Sequence, residues 1–402
     1  MSKNILFLCY WSLEDNLVTA TVLPRLRVLQ QFKCIGKIFL VTIEREPGLN
    51  IDLSPTEFNK VLHQPIFPKN CYYNALTKIN DFVVIPKILN QLVKTQNIAI
   101  ILAHGAPAGA LAYKVCQKAK IPFYVSSFEP HAQYMAESGV WSRYGLKYRY
   151  QKKWEKDVIK TAKGVMPVAE NYTEKLLAMG VSADKVFTVP CSVATETFRF
   201  CDKNRNRIRE NLGFDNNMVG IYVGKYGGLY YNEEAFLIYQ QCFLTIPHFR
   251  LIILSPQPQE EILQQLKRYK IDFLKVYVAS VSHELVPAYL SASDFAFATY
   301  KPGPSKKYLS PVKVGEYWAN GLPVLLTEGV GDDSDIIKKE GGGAVFNLQQ
   351  EGSLSLALQQ IQEIVKDPSH RLKIPDLAMK YRSPDKIKAA YQYFLGKEEG
   401  GQ

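Results

Sequence analysis

The residues best equipped for chemistry lie in one stretch, Tyr308 to Leu325, which reads YLSPVKVGEYWANGLPVL. Ser310 is suited to cap a helix, Pro311 to take its first position, and Gly321 followed by Pro323 to end it. The first turn of that helix offers unpaired backbone N–H groups and the positive end of the helix dipole. With Lys313 on the same turn, an anion such as a diphosphate can dock along Ser310, Pro311, Val312 and Lys313. Glu316 lies one turn beyond Lys313 on the same face. A carboxylate is a poor phosphate ligand, but it accepts hydrogen bonds from the two hydroxyls of a ribose. Phosphate first and sugar second is the order in a nucleoside diphosphate. An ordinary capped helix with a surface lysine and glutamate would read the same way.

These side chains need a frame, and the rest of the chain supplies its rhythm. Short apolar runs suited to doubly covered parallel strands alternate with longer amphipathic stretches, which predicts an α/β sheet wound by crossover helices. In the first half the runs are Ile5 to Cys9, Lys37 to Ile43, Ile98 to Ala103, Phe123 to Ser126, Gly164 to Val168 and Val186 to Val189. Helices are expected over Val18 to Phe32, Asn74 to Thr95, Ala108 to Lys118, Lys147 to Lys160 and Asn171 to Met179. A polar, strongly charged stretch from Phe198 to Arg209 interrupts the pattern, which then restarts at Val219 to Val223. Two Rossmann-like lobes with a cleft between them are expected: residues 1–200 and 201–382, with an amphipathic helix and tail over 383–402 that could pack on either lobe.

Ligands of open parallel sheets lie beyond the carboxyl ends of the strands. Two such loops in the first lobe are expected to face the cleft: His104-Gly105-Ala106, and Ser127 to His131 with Glu129 within it. In the second lobe Val223-Gly224-Lys225 ends the first strand, and Gly227-Gly228 after it also reads as a plain turn. Asp333-Ser334-Asp335 has the D-x-D spacing of a divalent-ion site, but it opens a helix where carboxylates cap well, and no metal is expected.

Composition narrows the partners. Of 402 residues, 49 are basic and 38 acidic, giving +11, which excludes an acidic solvated tail and favours anionic partners. The seven cysteines are scattered with no C-x-x-C pair, so neither a disulfide framework nor a zinc cluster is indicated, and a reducing cytosol is the expected compartment. The apolar run at the amino terminus is too short for a signal peptide, and no stretch is long enough to span a bilayer. Residues 141–163 carry eight lysines and arginines against Glu155 and Asp157, a local +6. On a helix, Arg149, Lys153, Lys156 and Lys160 form one stripe and Tyr150, Trp154 and Val158 another. Such a helix either presents a solvated face or attaches the chain peripherally to an anionic membrane. No nucleic-acid module is present, so nucleic acid is not an expected partner.

The 308–325 stretch resembles the S-P-x-K-x-x-E-Y-x-A-x-G-x-P-V signature of family 4 retaining glycosyltransferases, which have the GT-B fold. Val223 to Gly228 is similar to that family's V-G-R/K loop, and Glu284 to Ala298 to its E-L-x-x-x-Y-x-x-A-D stretch. The resemblance implies transfer of a sugar from a nucleotide-diphosphate donor to a glycan or lipid-linked acceptor, with retention and without metal or cofactor. It implies that Gly224 and Lys225 meet the donor diphosphate with the Ser310 to Lys313 turn, that Glu316 binds the ribose, and that Ser280 and Val281 border the base. His131, or alternatively Glu129, takes the place of the family's histidine at the reacting centre. Asp15 and Asn16 replace a glycine-rich first loop and, with His104, are expected near acceptor or phosphate. Two departures stand out: Tyr308 where the family has a glutamate, and Tyr230 where it commonly has a lysine. A sugar-nucleotide epimerase, or a catalytically weak subunit binding nucleotide or membrane, are the alternatives.

Overall fold

Aliphatic and β-branched runs that are apolar on both faces form strands only where helices cover both sides of a sheet, and this chain builds two such sheets. The computed structural model describes residues 2–46, 53–69, 74–127 and 129–396, in two units: Met1–Ser192 with Pro384–Gln402, and Val193–Ser383. The first unit holds β1 (Lys3–Cys9), β2 (Ile35–Ile43), β3 (Val61–Ile66), β4 (Ile98–His104), β5 (Phe123–Ser127) and β6 (Gly164–Pro167). The second holds β7 (Met218–Val223), β8 (Phe249–Leu254), β9 (Val276–Ala279), β10 (Phe295–Ala298), β11 (Val324–Thr327) and β12 (Gly343–Phe346). The sheet orders are β3-β2-β1-β4-β5-β6 and β12-β11-β10-β7-β8-β9. Each winding reverses at its middle, between β1 and β4 and between β7 and β10, and in a parallel sheet that reversal opens a crevice beyond the carboxyl ends.

The period of two decides which residues face which core. In β8, Ile252 and Leu254 join one cluster with Val314 and Trp318, while Leu251 and Ile253 join the other with Phe236 and Tyr239. The Val312–Ala319 helix is thereby locked against the sheet by its buried Val314, Tyr317 and Trp318. It ends in a Schellman turn, with Leu322 N–H on the Tyr317 carbonyl (2.9 Å), Gly321 N–H on that of Trp318 (2.8 Å), and Gly321 at φ +78°.

Three elements differ from the sequence reading. Val61–Ile66 is a strand although its apolar pattern is broken by His63 and Gln64; it lies at the sheet edge, where Pro65 is tolerated. Val186 to Val189 makes only a bridge from Val186 to Val165. The charged stretch after Phe198 contains a helix, Asp202–Leu212, whose inward residues include Ile208 and the buried Arg209. The second unit also begins earlier than residue 201: Val193 N–H donates to the Arg382 carbonyl at 2.9 Å, and Val193 and Phe198 belong to its core. Among the described residues no disulfide joins the cysteines, Cys71 lying outside them, and no helix is long and apolar enough to cross a membrane.

The Asp385–Gly396 helix completes the first unit by burying Ile387, Ala390, Tyr391, Phe394 and Leu395 in its core. Phe394 fills the space above Gly164, where a Cβ would come within 2.6 Å of its ring, and packs on Tyr124 at 5.3 Å. We expect Phe394→Ala to destabilise this unit by about 3–5 kcal/mol in urea unfolding; a change under about 1 kcal/mol would show that Phe394 is not a core residue there.

Candidate functional site

At the carboxyl end of β7 the chain turns at Gly224, φ +139°, and the turn is held by the Tyr222 hydroxyl donating to the Lys225 carbonyl at 2.6 Å. The Tyr317 hydroxyl accepts from Val223 N–H at 3.2 Å, tying the end of the strand to the Val312–Ala319 helix. Tyr230, from the loop after β7, pairs in a short antiparallel bridge with Tyr300, which follows β10. These elements meet at the reversal between β7 and β10.

Lys313 fills the space they enclose. Its Nζ stands 4.2 Å from the Tyr230 ring centre, 5.0 Å from that of Tyr222 and 5.9 Å from that of Tyr300. A Cβ on Gly224 would come within 2.8 Å of the same Nζ, so glycine permits both the backbone conformation and the approach. The Nζ is buried and has no hydrogen-bond partner. Burial pushes this amine down to about 7, against the pull of the Glu316 charge. Burial also holds the phenols of Tyr222, Tyr230 and Tyr300 above their ordinary range, so the rings are neutral. Ring faces attract a cation, by about 0.5–2 kcal/mol each, but they do not replace the acceptors an ammonium loses on leaving water. Those acceptors are not supplied by the groups around this amine.

Glu316 is buried one turn along, where Oε1 accepts from His283 Nε2 at 2.9 Å. That hydrogen bond raises the imidazole above its usual range, outweighing the effect of burial. His283 follows Ser280 and Val281 in the loop after β9, so the loop expected at the base is joined to the carboxylate expected at the ribose. Lys225 is exposed on the turn beside Gly224. The structure thus brings together Gly224, Lys225, Lys313, Glu316 and, through His283, the Ser280–Val281 segment.

Other expectations change. Ser310 does not cap the helix: its hydroxyl accepts from Arg382, and Pro311 holds the capping position with no side-chain bond. Arg382 also forms a buried ion pair with Asp333, whose carboxyl burial pushes up to about 6 against the pull of that guanidinium. Asp333 is therefore a structural anchor inside its helix; Asp332 holds the cap position and makes no capping side-chain bond. Tyr308 is buried with Lys307 over its ring at 5.3 Å.

In the first unit, His104 is buried at the end of β4. Its Nε2 pairs with the Thr21 hydroxyl at 2.9 Å, and burial, aided by Arg25, holds it well below the ordinary histidine range. Asp15 is exposed and caps the Asn16–Leu29 helix by accepting from Leu17 N–H at 2.8 Å; the side chain of Asn16 lies outside the described residues. His131 and Glu129 are hydrogen-bonded to one another. Nδ1 lies 2.8 Å from Glu129 Oε1. Burial alone would lower this imidazole, but the hydrogen bond to Glu129 and the charge of Glu155 leave it raised. A carboxylate on Nδ1 orients the ring and leaves Nε2 to exchange a proton. Arg149, Lys153, Lys156 and Lys160 are exposed on the Leu146–Thr161 helix, as is Tyr150, while Trp154 stacks on Phe82 at 4.5 Å and Val158 is buried.

No family model matches the sequence, and no curated protein matches it either. Solved structures do. The chain is similar to HepE of Anabaena in complex with UDP, at 13% identity and TM-score 0.69, covering 99% of this chain and 100% of that one. It is similar to sucrose-phosphate synthase of Thermosynechococcus elongatus at 15% identity and TM-score 0.75, covering 100% of both. The fold is GT-B. A Listeria monocytogenes protein described as a UDP-N-acetylglucosamine 2-epimerase shares this GT-B architecture at 11% identity and TM-score 0.66, covering 100% of this chain and 98% of that one.

The buried amine has a measurable signature. Its folded pKa of about 7 lies below the ordinary lysine value, so between these limits the unfolded chain binds more protons and stability rises with pH. We expect the unfolding free energy of the ligand-free GT-B protein to gain up to about 1.4 kcal/mol per pH unit from this group above about pH 7. Lys313→Met should remove that slope in denaturant titrations; an unaltered slope would mean that the amine keeps its ordinary affinity for protons.

Proposed function

We propose that this chain is a retaining glycosyltransferase similar to family 4, moving a sugar from a nucleotide-diphosphate donor to a glycan or lipid-linked acceptor without metal or cofactor. One observation carries the reading: a buried, unpartnered lysine ammonium at the sheet reversal, next to a helix amino terminus and one turn from a buried carboxylate. Lys313, exposed Lys225 and the first amides of the Val312–Ala319 helix are the diphosphate ligands, and Glu316, oriented by His283, takes the ribose. UDP in the HepE structure, and ADP in that of the Arabidopsis thaliana starch synthase IV catalytic domain, support a nucleotide donor.

As the bond to the anomeric carbon breaks, negative charge grows on the β-phosphate. Lys313 is already placed and desolvated, so it needs no rearrangement to meet that charge, and it is worth most in such a water-poor site. Departing phosphate then accepts the acceptor's proton. In the first unit, His131 is oriented by Glu129 for proton exchange at Nε2. The acceptor is a lipid-linked or polysaccharide intermediate, reached at the cytoplasmic face of an anionic membrane through Arg149, Lys153 and Lys156, with exposed Tyr144, Leu146 and Tyr150 beside them. A second reading, a sugar-nucleotide epimerase, draws on the Listeria neighbour.

Calorimetry with UDP-, GDP- and ADP-sugars tests the donor. Binding should take up protons near pH 8, because the anion restores the charge of Lys313; binding without proton uptake would remove Lys313 from the diphosphate. Lys225→Ala should lower turnover about 10²- to 10³-fold, and NMR of the product should show a retained anomeric configuration, whereas isomerised donor without transfer would establish the epimerase. Reversing the charge of Arg149, Lys153 and Lys156 together should release the protein from phosphatidylserine vesicles in sedimentation; undiminished binding would leave those residues as a solvated face.

A further inference from the structure

The amino ends of β7 and β10 carry a second concentration of charge, at the opposite end of the strands that lead to Lys313. Asp294, just before β10, accepts from Arg205 on Oδ1 at 2.6 Å, and from Arg209 at 2.5 Å and Val219 N–H at 2.8 Å on Oδ2. Arg209 spends its remaining N–H groups on the carbonyls of Ala292, Phe214, Asp215 and Asn217. One carboxylate is thus shared by two guanidiniums, and a third guanidinium beside it makes no hydrogen bond to it.

The third is Arg371. It lies over the Phe200 ring at 4.5 Å and donates only to uncharged oxygens: the Asn320 carbonyl and side-chain oxygen, each at 3.3 Å, and the Ser293 carbonyl. Burial together with Arg205 pushes it down to about 9. Its neighbour His370 is buried; Nδ1 donates to the Asp367 carbonyl at 2.6 Å, and Nε2 has no hydrogen-bond partner. Arg205, Arg209, Arg371, His370 and exposed Lys366 border a groove of about 700 Å³, with Phe200 and Leu372 as its apolar wall.

We propose that this groove is a second ligand site, separate from the donor site, that takes a phosphate monoester of a small organic molecule. The phosphate supplies the negative charge that Arg371 lacks, takes N–H groups of Arg205 not committed to Asp294 and the backbone, and meets Lys366 at the rim; the organic part lies on Phe200 and Leu372. A dianion suits the site better than a carboxylate, because the bordering charges of Arg205, Arg209, Arg371 and Lys366 exceed those of Asp202 and Asp294 by two.

Calorimetry of the full chain with phenyl phosphate, and with inorganic phosphate in parallel, tests this. Phenyl phosphate should still bind to the Lys225→Ala, Lys313→Met double variant, whose donor site is disabled, and in that background Arg205→Gln and Lys366→Glu should each weaken binding about tenfold, with the melting curve unchanged by Lys366→Glu. Loss of all binding in the double variant would mean that the donor site is the only phosphate site, and overturns the groove without touching the proposed transferase. No binding to either protein, or full affinity in Lys366→Glu and Arg205→Gln, would leave the arginines as supports of the loops around β10. If Arg205→Gln fails to fold, Lys366→Glu decides.

Discussion

Taking the ammonium of Lys313 out of water costs several kcal/mol unless an opposite charge or well-placed acceptors replace the solvent. Three neutral phenol rings recover a part of that cost and no more. The surrounding structure is what keeps the amine in place without a counter-ion: two strand ends, a glycine that lets the backbone pass close by, and a short helix whose buried tyrosine and tryptophan leave it no freedom to tilt. A site held in this condition is organised before its ligand arrives.

The two ends of the second sheet manage charge in opposite ways. At the carboxyl end one buried amine lies among aromatic rings without a hydrogen-bond partner. At the amino end three guanidiniums crowd one carboxylate, and the surplus falls on Arg371. The same side chain reaches Asn320, the residue that caps the far end of the helix carrying Lys313, so the two ends share one rigid element. Arg382 makes a comparable tie at the front of that helix, through Ser310 and Asp333.

Much of this was legible in the residues. Runs such as Ile5 to Cys9 and Phe295 to Ala298 are apolar at every position because both faces are covered, and their shortness separates them from buried helices. Lys313 and Glu316 stood out by their spacing behind a helix start. What could not be read were the long-range partners. His283 joins Glu316 across 33 positions, and Arg382 takes the Ser310 hydroxyl across 72, so the helix loses the cap its sequence offers. His104 looked like a loop residue because it ends a strand; only the packing of Thr21 and Arg25 over it reveals a core position. Nothing in the sequence joins Tyr222 and Tyr300 to Lys313, which comes from a different element. The Asp202–Leu212 helix was hidden by its polarity, since its inward face is built around an arginine rather than an aliphatic residue.

The first unit borrows its last helix from beyond the second: Tyr391 and Phe394 are separated from Ser192 by the whole of Val193–Ser383. On the ribosome, the sheet that emerges first must therefore wait while the intervening 191 residues are made, roughly 10–40 s at ordinary elongation rates. During that interval the ring-sized hollow over Gly164 and the apolar strip around Leu26 and Ile100 face solvent or a chaperone. The second unit, continuous in the chain, needs no such delay, so synthesis from the amino terminus would finish its second-made half first.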